Sequence, residues 1–233
     1  MSKTRNQESV STGMMLNDKY GRAESFVNEN KKSLLIIAGS VVILVLLYIG
    51  YTKFYLAPRE QEAVNDMFKA QEFFRSDSLD KALNGDGNYK GFLTIIEEYD
   101  GTRSANLANY YTGVIYLQQG KFQEAIEYLE HYSAKDEITR VEAIGLLGDA
   151  YSELKQYDKA ISKYREAATT NPNSFTSPLY LMKLALVYEA TNNVPEAVKT
   201  YKTIKTEYWQ FAQTQNIDAY IAKLEQKAPS GNE

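Results

Sequence analysis

Residues 141–174 read VEAIGLLGDAYSELKQYDKAISKYREAATTNPNS, and this stretch decides the fold. Its small and large apolar residues recur at the spacing of two successive helices. Counted from Val141 as position 1, the marked residues are Leu147 (position 7), Gly148 (8), Tyr151 (11), Ala160 (20), Tyr164 (24), Ala167 (27) and Pro172 (32). Pro172 cannot continue a helix, so it ends the second one. The stretch therefore predicts a pair of packed helices, helix A and helix B.

The marked positions resemble the tetratricopeptide repeat (TPR), a 34-residue helix–turn–helix unit. Gly148 and Ala160 are small where helix A and helix B approach closely, while Tyr151 and Tyr164 fill the gap to the next repeat. Any antiparallel helical hairpin is the alternative. The combined placement of small and large residues favours the repeat, which needs stacked neighbours to bury its apolar faces.

Two neighbouring units, 106–139 and 178–211, follow the same pattern. Their matching residues are Gly113, Tyr116, Gly120, Phe122, Ala125 and Leu129 in the first and Ala185, Tyr188, Asn192, Ala197 and Tyr201 in the second. Pro195 falls near the start of helix B, where a missing N–H is tolerated. Residues 174–177 are expected to form the longer of the two inter-repeat loops.

The remaining helices complete an array. Segments 62–75 and 89–99 predict the two helices of a degenerate repeat, separated by turn chemistry at 84–88, and 214–226 predicts a terminal capping helix. The expected fold is all-α: one transmembrane helix, then a TPR α-solenoid of three clear repeats with a degenerate N-terminal repeat and a C-terminal cap. The predicted boundaries are 1–32 (tail), 33–52 (transmembrane helix), 53–105 (linker helix and degenerate unit), 106–139, 141–174 and 178–211 (repeats), and 212–233 (cap and tail).

Residues 33–52 (SLLIIAGSVVILVLLYIGYT) carry no charge. A helix of this length measures about 30 Å, enough to cross the hydrocarbon core of a bilayer. Tyr48, Tyr51, Phe54 and Tyr55 cluster at its end, as interfacial aromatic residues do. A cleaved signal peptide is the alternative, but it would need a shorter apolar core and a small-residue cleavage site. The segment is therefore predicted to anchor the chain in a membrane.

Charge predicts the orientation of this anchor. Six basic residues precede it, with Lys31 and Lys32 directly against it, whereas only Lys53 and Arg59 follow closely. The positive-inside rule then keeps the N-terminus in the cytoplasm and sends 53–233 across the membrane. The net charge of −4 argues against nucleic acid as a partner, and the absence of Cys excludes disulfides and thiolate chemistry.

Catalytic and metal-binding patterns are weak. His131 is the only histidine and has no Ser, Asp or Glu motif placed to form a triad with it. Asp77, Asp80 and Asp86 lie near a Gly-rich turn, but a calcium loop begun at Asn84 would place Ile95 where a bidentate Glu is required. The sequence also lacks a phosphate-binding loop and a dinucleotide fingerprint. We expect that the protein is not an enzyme and binds no cofactor, metal ion or small-molecule substrate.

In TPR arrays, which this chain resembles, positions 2, 5, 9 and 12 of helix A line the concave face. Here these are Leu107, Tyr110, Val114 and Leu117, then Glu142, Gly145, Asp149 and Ser152, then Leu179, Met182, Leu186 and Glu189. The outer units are apolar and the centre is acidic, without the basic residues that clamp carboxylate termini. An extended or helical polypeptide would fit such a groove. The expected partner-binding residues are Leu107, Tyr110, Val114, Leu117, Asp149, Met182 and Leu186. Alternatively, these residues contact the chain's own capping helix or first unit.

The whole layout resembles the YfgM-like ancillary subunits of the bacterial Sec translocon and the anchored TPR proteins of Bacteroidetes-type bacteria. Lys31 and Lys32 before 33–52, the helix 68–74, Gly91-Phe92 and the three repeats carry the resemblance. It implies a scaffold or chaperone-like adaptor, anchored in the inner membrane, with a periplasmic domain that binds translocon components or exported polypeptides. The alternative is a purely structural subunit of a larger inner-membrane complex that binds no client.

Overall fold

The computed structural model describes residues 27–227. Most of the predicted tail, residues 1–26, and the last residues, 228–233, lie outside this range. The chain divides into two compact units, Met1–Pro58 and Arg59–Glu233. Each unit is described by itself.

The first unit contains helix α1 (Lys31–Gly50), followed by a π-helical segment (Tyr51–Leu56). No residue of α1 is buried, and the helix is long and apolar enough to cross a membrane by its length and composition. The Ser40 hydroxyl donates to the Ile36 carbonyl at 2.8 Å, so this polar group is satisfied within the helix, as a lipid environment requires.

The second unit is a series of helices, α2 to α12. Their bounds are α2 Ala57–Arg75, α3 Leu79–Asn84, α4 Phe92–Glu98, α5 Arg103–Gln118, α6 Phe122–His131, α7 Glu137–Glu153, α8 Tyr157–Thr170, α9 Thr176–Ala190, α10 Val194–Glu207, α11 Trp209–Thr214 and α12 Ile217–Lys227. The pairs α5–α6, α7–α8 and α9–α10 are the three repeats, and α12 packs on α10. The all-α repeat fold with an N-terminal apolar helix is confirmed.

Small residues at position 8 let the two helices of a repeat approach each other. A Cβ added to Gly148 would lie 2.6 Å from the Tyr164 ring of α8, and one added to Gly113 would lie 2.6 Å from Leu129 of α6. Ala185 occupies the same position in α9 and is fully buried. Helix B therefore packs directly on the backbone of helix A, as the repeat pattern predicts.

The turn between helix A and helix B has the same geometry in all three repeats. Gly120, Lys155 and Asn192, all at position 15, have φ values of 73°, 56° and 57°. In each case the next N–H bonds back to a carbonyl in the last turn of helix A, at 2.8–2.9 Å. Asp77, with φ of 58°, ends α2 in the same way. This shared helix ending shows that α2 and α3 are joined as helices A and B are in a repeat.

The degenerate unit differs from the prediction in its second helix. The helix predicted at 89–99 is present as α4 (Phe92–Glu98), but the short α3, which was not predicted, precedes it and follows α2 directly. The Asp86 carboxylate accepts the N–H groups of Asn88 and Tyr89, both at 3.0 Å, and so folds the intervening segment into a turn. Ala82 and Leu83 are buried on one face of α3. This packing stabilises the helix, because six residues are too few to form a stable helix alone.

Two other boundaries also differ. The loop predicted at 174–177 is shorter, because the Asn173 carboxamide accepts the N–H groups of Phe175 and Thr176 at 2.9 Å and starts α9 at Thr176. The capping helix predicted at 214–226 is α12, and a separate helix, α11, precedes it. Asn216, with φ of 52°, breaks the chain between them.

We expect Gly148→Ala to lower the free energy of unfolding by about 1–3 kcal/mol, because the new methyl group overpacks the contact with Tyr164. The control is Ser162→Ala, on the exposed side of α8. Chemical denaturation of both variants checks the prediction. Equal stabilities would show that position 8 does not set the approach of the two helices.

Candidate functional site

The three helices A lie side by side, with α7 between α5 and α9. The Tyr110 hydroxyl of α5 lies close to the Glu142 carboxylate of α7. On the other side of α7, the Tyr180 ring of α9 covers the backbone at Gly145. We use the name helix-A face for the twelve residues at positions 2, 5, 9 and 12 of α5, α7 and α9. The chain's own tyrosines thus cross this face from both sides.

Most of the α5 part of the helix-A face packs against the core of the chain. Leu107 packs against the buried cluster that α2 to α5 form, and Tyr110 and Leu117 pack against the cluster that α6 to α12 form. The Tyr110 ring lies 5.2 Å from the Tyr132 ring and 5.7 Å from the Tyr111 ring. Val114 is half-buried as well. Of the predicted partner-binding residues, these four are therefore already in contact with the chain itself.

The α9 part of the same face presents apolar surface. Leu179 is 42% exposed and Leu186 is 44% exposed. Met182 lies between them along the helix and is half-buried against the core. Leu179 and Leu186 are seven residues apart, so they project from the same side of α9.

Asp149 is a predicted partner-binding residue at the centre of the face, and its carboxylate already binds other side chains of the chain. It accepts a hydrogen bond from the Tyr164 hydroxyl at 2.7 Å and binds the Lys183 ammonium through both oxygens, at 2.7 and 2.8 Å. The same ammonium lies 5.9 Å from the Tyr164 ring centroid and 5.8 Å from that of Tyr180. Sequence reasoning placed no cation on this face and missed Lys183.

The signal that could have found Lys183 is its spacing. Asp149 and Lys183 are 34 residues apart, one repeat length, so they belong to adjacent helices A. The same spacing links the last repeat to the cap α12, because Glu189 and Lys223 are also 34 residues apart and approach to 3.5 Å. Opposite charges one repeat length apart therefore indicate ion pairs between a helix A and the helix that follows it one repeat length later.

Tyrosine hydroxyls near carboxylates have raised pKa values. Burial raises the pKa of Tyr164, and the neighbouring Asp149 raises it further. Burial and a hydrogen bond to Glu130 raise the pKa of Tyr151 to about 12. Burial, with Asp149 nearby, also raises the pKa of Tyr180 to about 12. These hydroxyls keep their protons well above neutral pH, and those of Tyr151 and Tyr164 act as donors.

The candidate catalytic and metal-binding residues do not come together into a site in the described chain. His131 is exposed, and its Nδ1 lies 2.7 Å from the Glu127 carbonyl of the same helix. Asp86 is used in the turn before α4. Within residues 27–227, no group of three His, Asp or Glu side chains is placed to hold a metal ion.

In comparison with known proteins, the chain matches the tetratricopeptide repeat family over residues 92–136, 141–174 and 180–208. Among solved structures, the chain is similar to nearly identical TPR-like repeats of a Podosopora anserina chain assigned as a kinesin light chain, with 16% identity over 74% of this chain and 99% of that one and a TM-score of 0.49. It is also similar to MamA from AMB-1, with 16% identity over 72% of this chain and 98% of that one and a TM-score of 0.44. No curated protein matches it.

The described chain thus has the architecture of a helical-repeat protein. It is a tetratricopeptide repeat protein with a long apolar helix near its N-terminal end. Such proteins are typically non-enzymatic scaffolds for protein–protein interaction.

The raised tyrosine pKa values predict alkaline instability. An unfolded tyrosine ionises near pH 10, whereas Tyr151 and Tyr180 ionise near pH 12 in the folded chain. The stabilisation is fully present below about pH 10 and is lost as the pH rises towards 12, because only the unfolded state releases protons in that interval. Thermal melts across this range should show a falling Tm. Tyr151→Phe should reduce the fall, and an unchanged Tm would contradict the prediction.

Proposed function

We propose that this chain is a membrane-anchored scaffold whose helix-A face binds polypeptide segments of partner proteins. The observation that carries the proposal is the exposure of Leu179 and Leu186 on α9. Neither side chain belongs to the buried core or packs against it. Apolar side chains on one side of a helix are the usual anchors for an extended or helical peptide.

The anchor sets where the binding takes place. Six basic residues precede the apolar helix and two follow closely, which supports a cytoplasmic N-terminus and a repeat domain on the periplasmic side of a bacterial inner membrane. In this proposal the partners are exported polypeptides or components of the translocation machinery. The resemblance of the layout to that of the ancillary translocon subunits supports that choice.

Protease accessibility tests the orientation. In spheroplasts of a Gram-negative host, added protease should digest the segment 53–233 and leave a tag at the N-terminus intact, because the basic residues hold that end inside. Lysed spheroplasts, in which both ends are cut, are the control. Protection of 53–233 together with loss of the N-terminal tag would reverse the orientation.

Client capture tests the binding face. We expect the full chain in lipid nanodiscs to bind a reduced, unfolded client protein, and the double change Leu179→Ser and Leu186→Ser to weaken that binding about fivefold or more, since loss of an apolar anchor costs ~1 kcal/mol or more. The matched control is Ile138→Ser, which removes an exposed apolar residue of α7 outside the face. Empty nanodiscs measure binding to lipid alone.

A second function, a structural subunit that binds no client, is favoured by the α5 side of the face. There Leu107, Tyr110 and Leu117 already pack against the chain's own core. If the double variant captured the client as well as the unchanged chain, or if the unchanged chain captured none, the structural role would replace the scaffold.

A further inference from the structure

The helix-A face contains a repeated arrangement of charge between apolar side chains. At position 2, Glu142 of α7 lies between Leu107 of α5 and Leu179 of α9 in the order of the repeats. At position 9, Asp149 lies in the same way between Val114 and Leu186. A segment that crosses the three helices would therefore meet an apolar residue, a carboxylate and another apolar residue.

The two carboxylates differ in what already binds them. Asp149 is neutralised by Lys183 and also accepts the Tyr164 hydroxyl. Glu142 is exposed, and the Tyr110 and Tyr180 hydroxyls near it are uncharged. No Lys or Arg of residues 27–227 forms an ion pair with it.

The helices on either side of Glu142 do not balance its charge. Residues 104–120, which include nearly all of α5, contain no charged residue. In α9 the charged residues are Lys183 and Glu189, and these pair with Asp149 and Lys223. Glu142 is thus the charge on the helix-A face that has no counter-ion within the described chain.

A partner lying across this face would cover Glu142. Covering a carboxylate without a counter-ion is costly, so a basic side chain opposite Glu142 would be favoured over a neutral or acidic one. The Tyr110 ring beside Glu142 adds an aromatic surface for such a cation.

Helix spacing sets the distance between the basic residue and its apolar neighbours. Packed helices lie about 8–10 Å apart, and a polyproline II segment advances about 3.1 Å per residue with three residues per turn. One helix spacing therefore corresponds to about three residues of such a segment, whose side chains three positions apart point to the same side. Resting on the proposed scaffold function, we infer that the partner segment is extended in the polyproline II conformation and carries Lys or Arg with an apolar residue about three positions away on each side.

Two synthetic peptides test this inference with the full chain in lipid nanodiscs. One has the pattern Leu-x-x-Arg-x-x-Leu and the other Leu-x-x-Glu-x-x-Leu, with Ser at every x. The arginine peptide should bind about fivefold more tightly or better, the upper range for a solvent-exposed charge pair. The difference should shrink as salt is raised, since the Debye length shortens.

Charge reversal supplies the matched comparison. Glu142→Lys should invert the preference, so that the glutamate peptide binds more tightly, and a misfolded variant could not produce such an inversion. Glu142→Gln keeps an acceptor for Tyr110 and should bind both peptides about equally. Glu127→Lys, the same charge change on the exposed side of α6, should keep the original preference.

The outcomes separate this inference from the scaffold function. If Glu142→Lys keeps the original ranking, or if the chain captures an unfolded client but neither peptide, the inference is wrong and the scaffold function stands. If the unchanged chain binds neither the peptides nor the client, both are wrong.

Discussion

The close approach of helix A and helix B is the contact on which the arrangement of neighbouring repeats depends. Gly148 has no side chain, so the Tyr164 ring packs on the α7 backbone. In that position the Tyr164 hydroxyl reaches Asp149, one residue beyond the glycine, at 2.7 Å. Asp149 in turn holds Lys183 of α9. A small residue within one repeat thus fixes a hydrogen bond and an ion pair that locate the next repeat.

The same tyrosine–carboxylate contact recurs along the array. Tyr151 donates to Glu130 of the preceding repeat at 2.8 Å, and Tyr201 donates to Glu189 of its own helix A at 2.7 Å. Each ring is buried while its hydroxyl reaches a partly exposed carboxylate, which suits the apolar body and polar tip of tyrosine. Tyr151 was expected to fill the gap to the following repeat, and its hydroxyl bonds to the preceding one. Asp149 and Glu189 also have lysine partners, so Glu142 is the carboxylate on the helix-A face of the described chain without a basic partner.

The repeat period made most of the fold predictable from the sequence. Position 8 at Gly113 and Gly148 has the packing role that the pattern predicts. The Tyr164 ring was expected to fill the gap to the next repeat, but it packs on Gly148 of its own repeat. The short helices α3 and α11 were missed, because packing stabilises them rather than an apolar period.

The candidate site was less predictable, because its availability depends on contacts between repeats. Sequence position alone could not show that Tyr110 packs against Tyr132 while Leu186 stays exposed. The ion pair of Asp149 with Lys183 was missed because Lys183 lies outside positions 2, 5, 9 and 12 of helix A, and the 34-residue spacing that signals the pair was not considered. Which of these residues meet a partner remains a prediction.

The two ends of the array differ because their terminal elements pack on different helices. On the N-terminal side, Phe74 and Phe92 of the degenerate unit pack on the Tyr111 ring of α5, at 5.2 and 5.0 Å, and this crowds the first helix A. On the C-terminal side, the cap α12 packs on α10, which is a helix B. The cap therefore seals the end of the core without covering Leu179 and Leu186 of α9. This asymmetry places the available apolar surface at the C-terminal side of the helix-A face, next to the uncompensated carboxylate of Glu142.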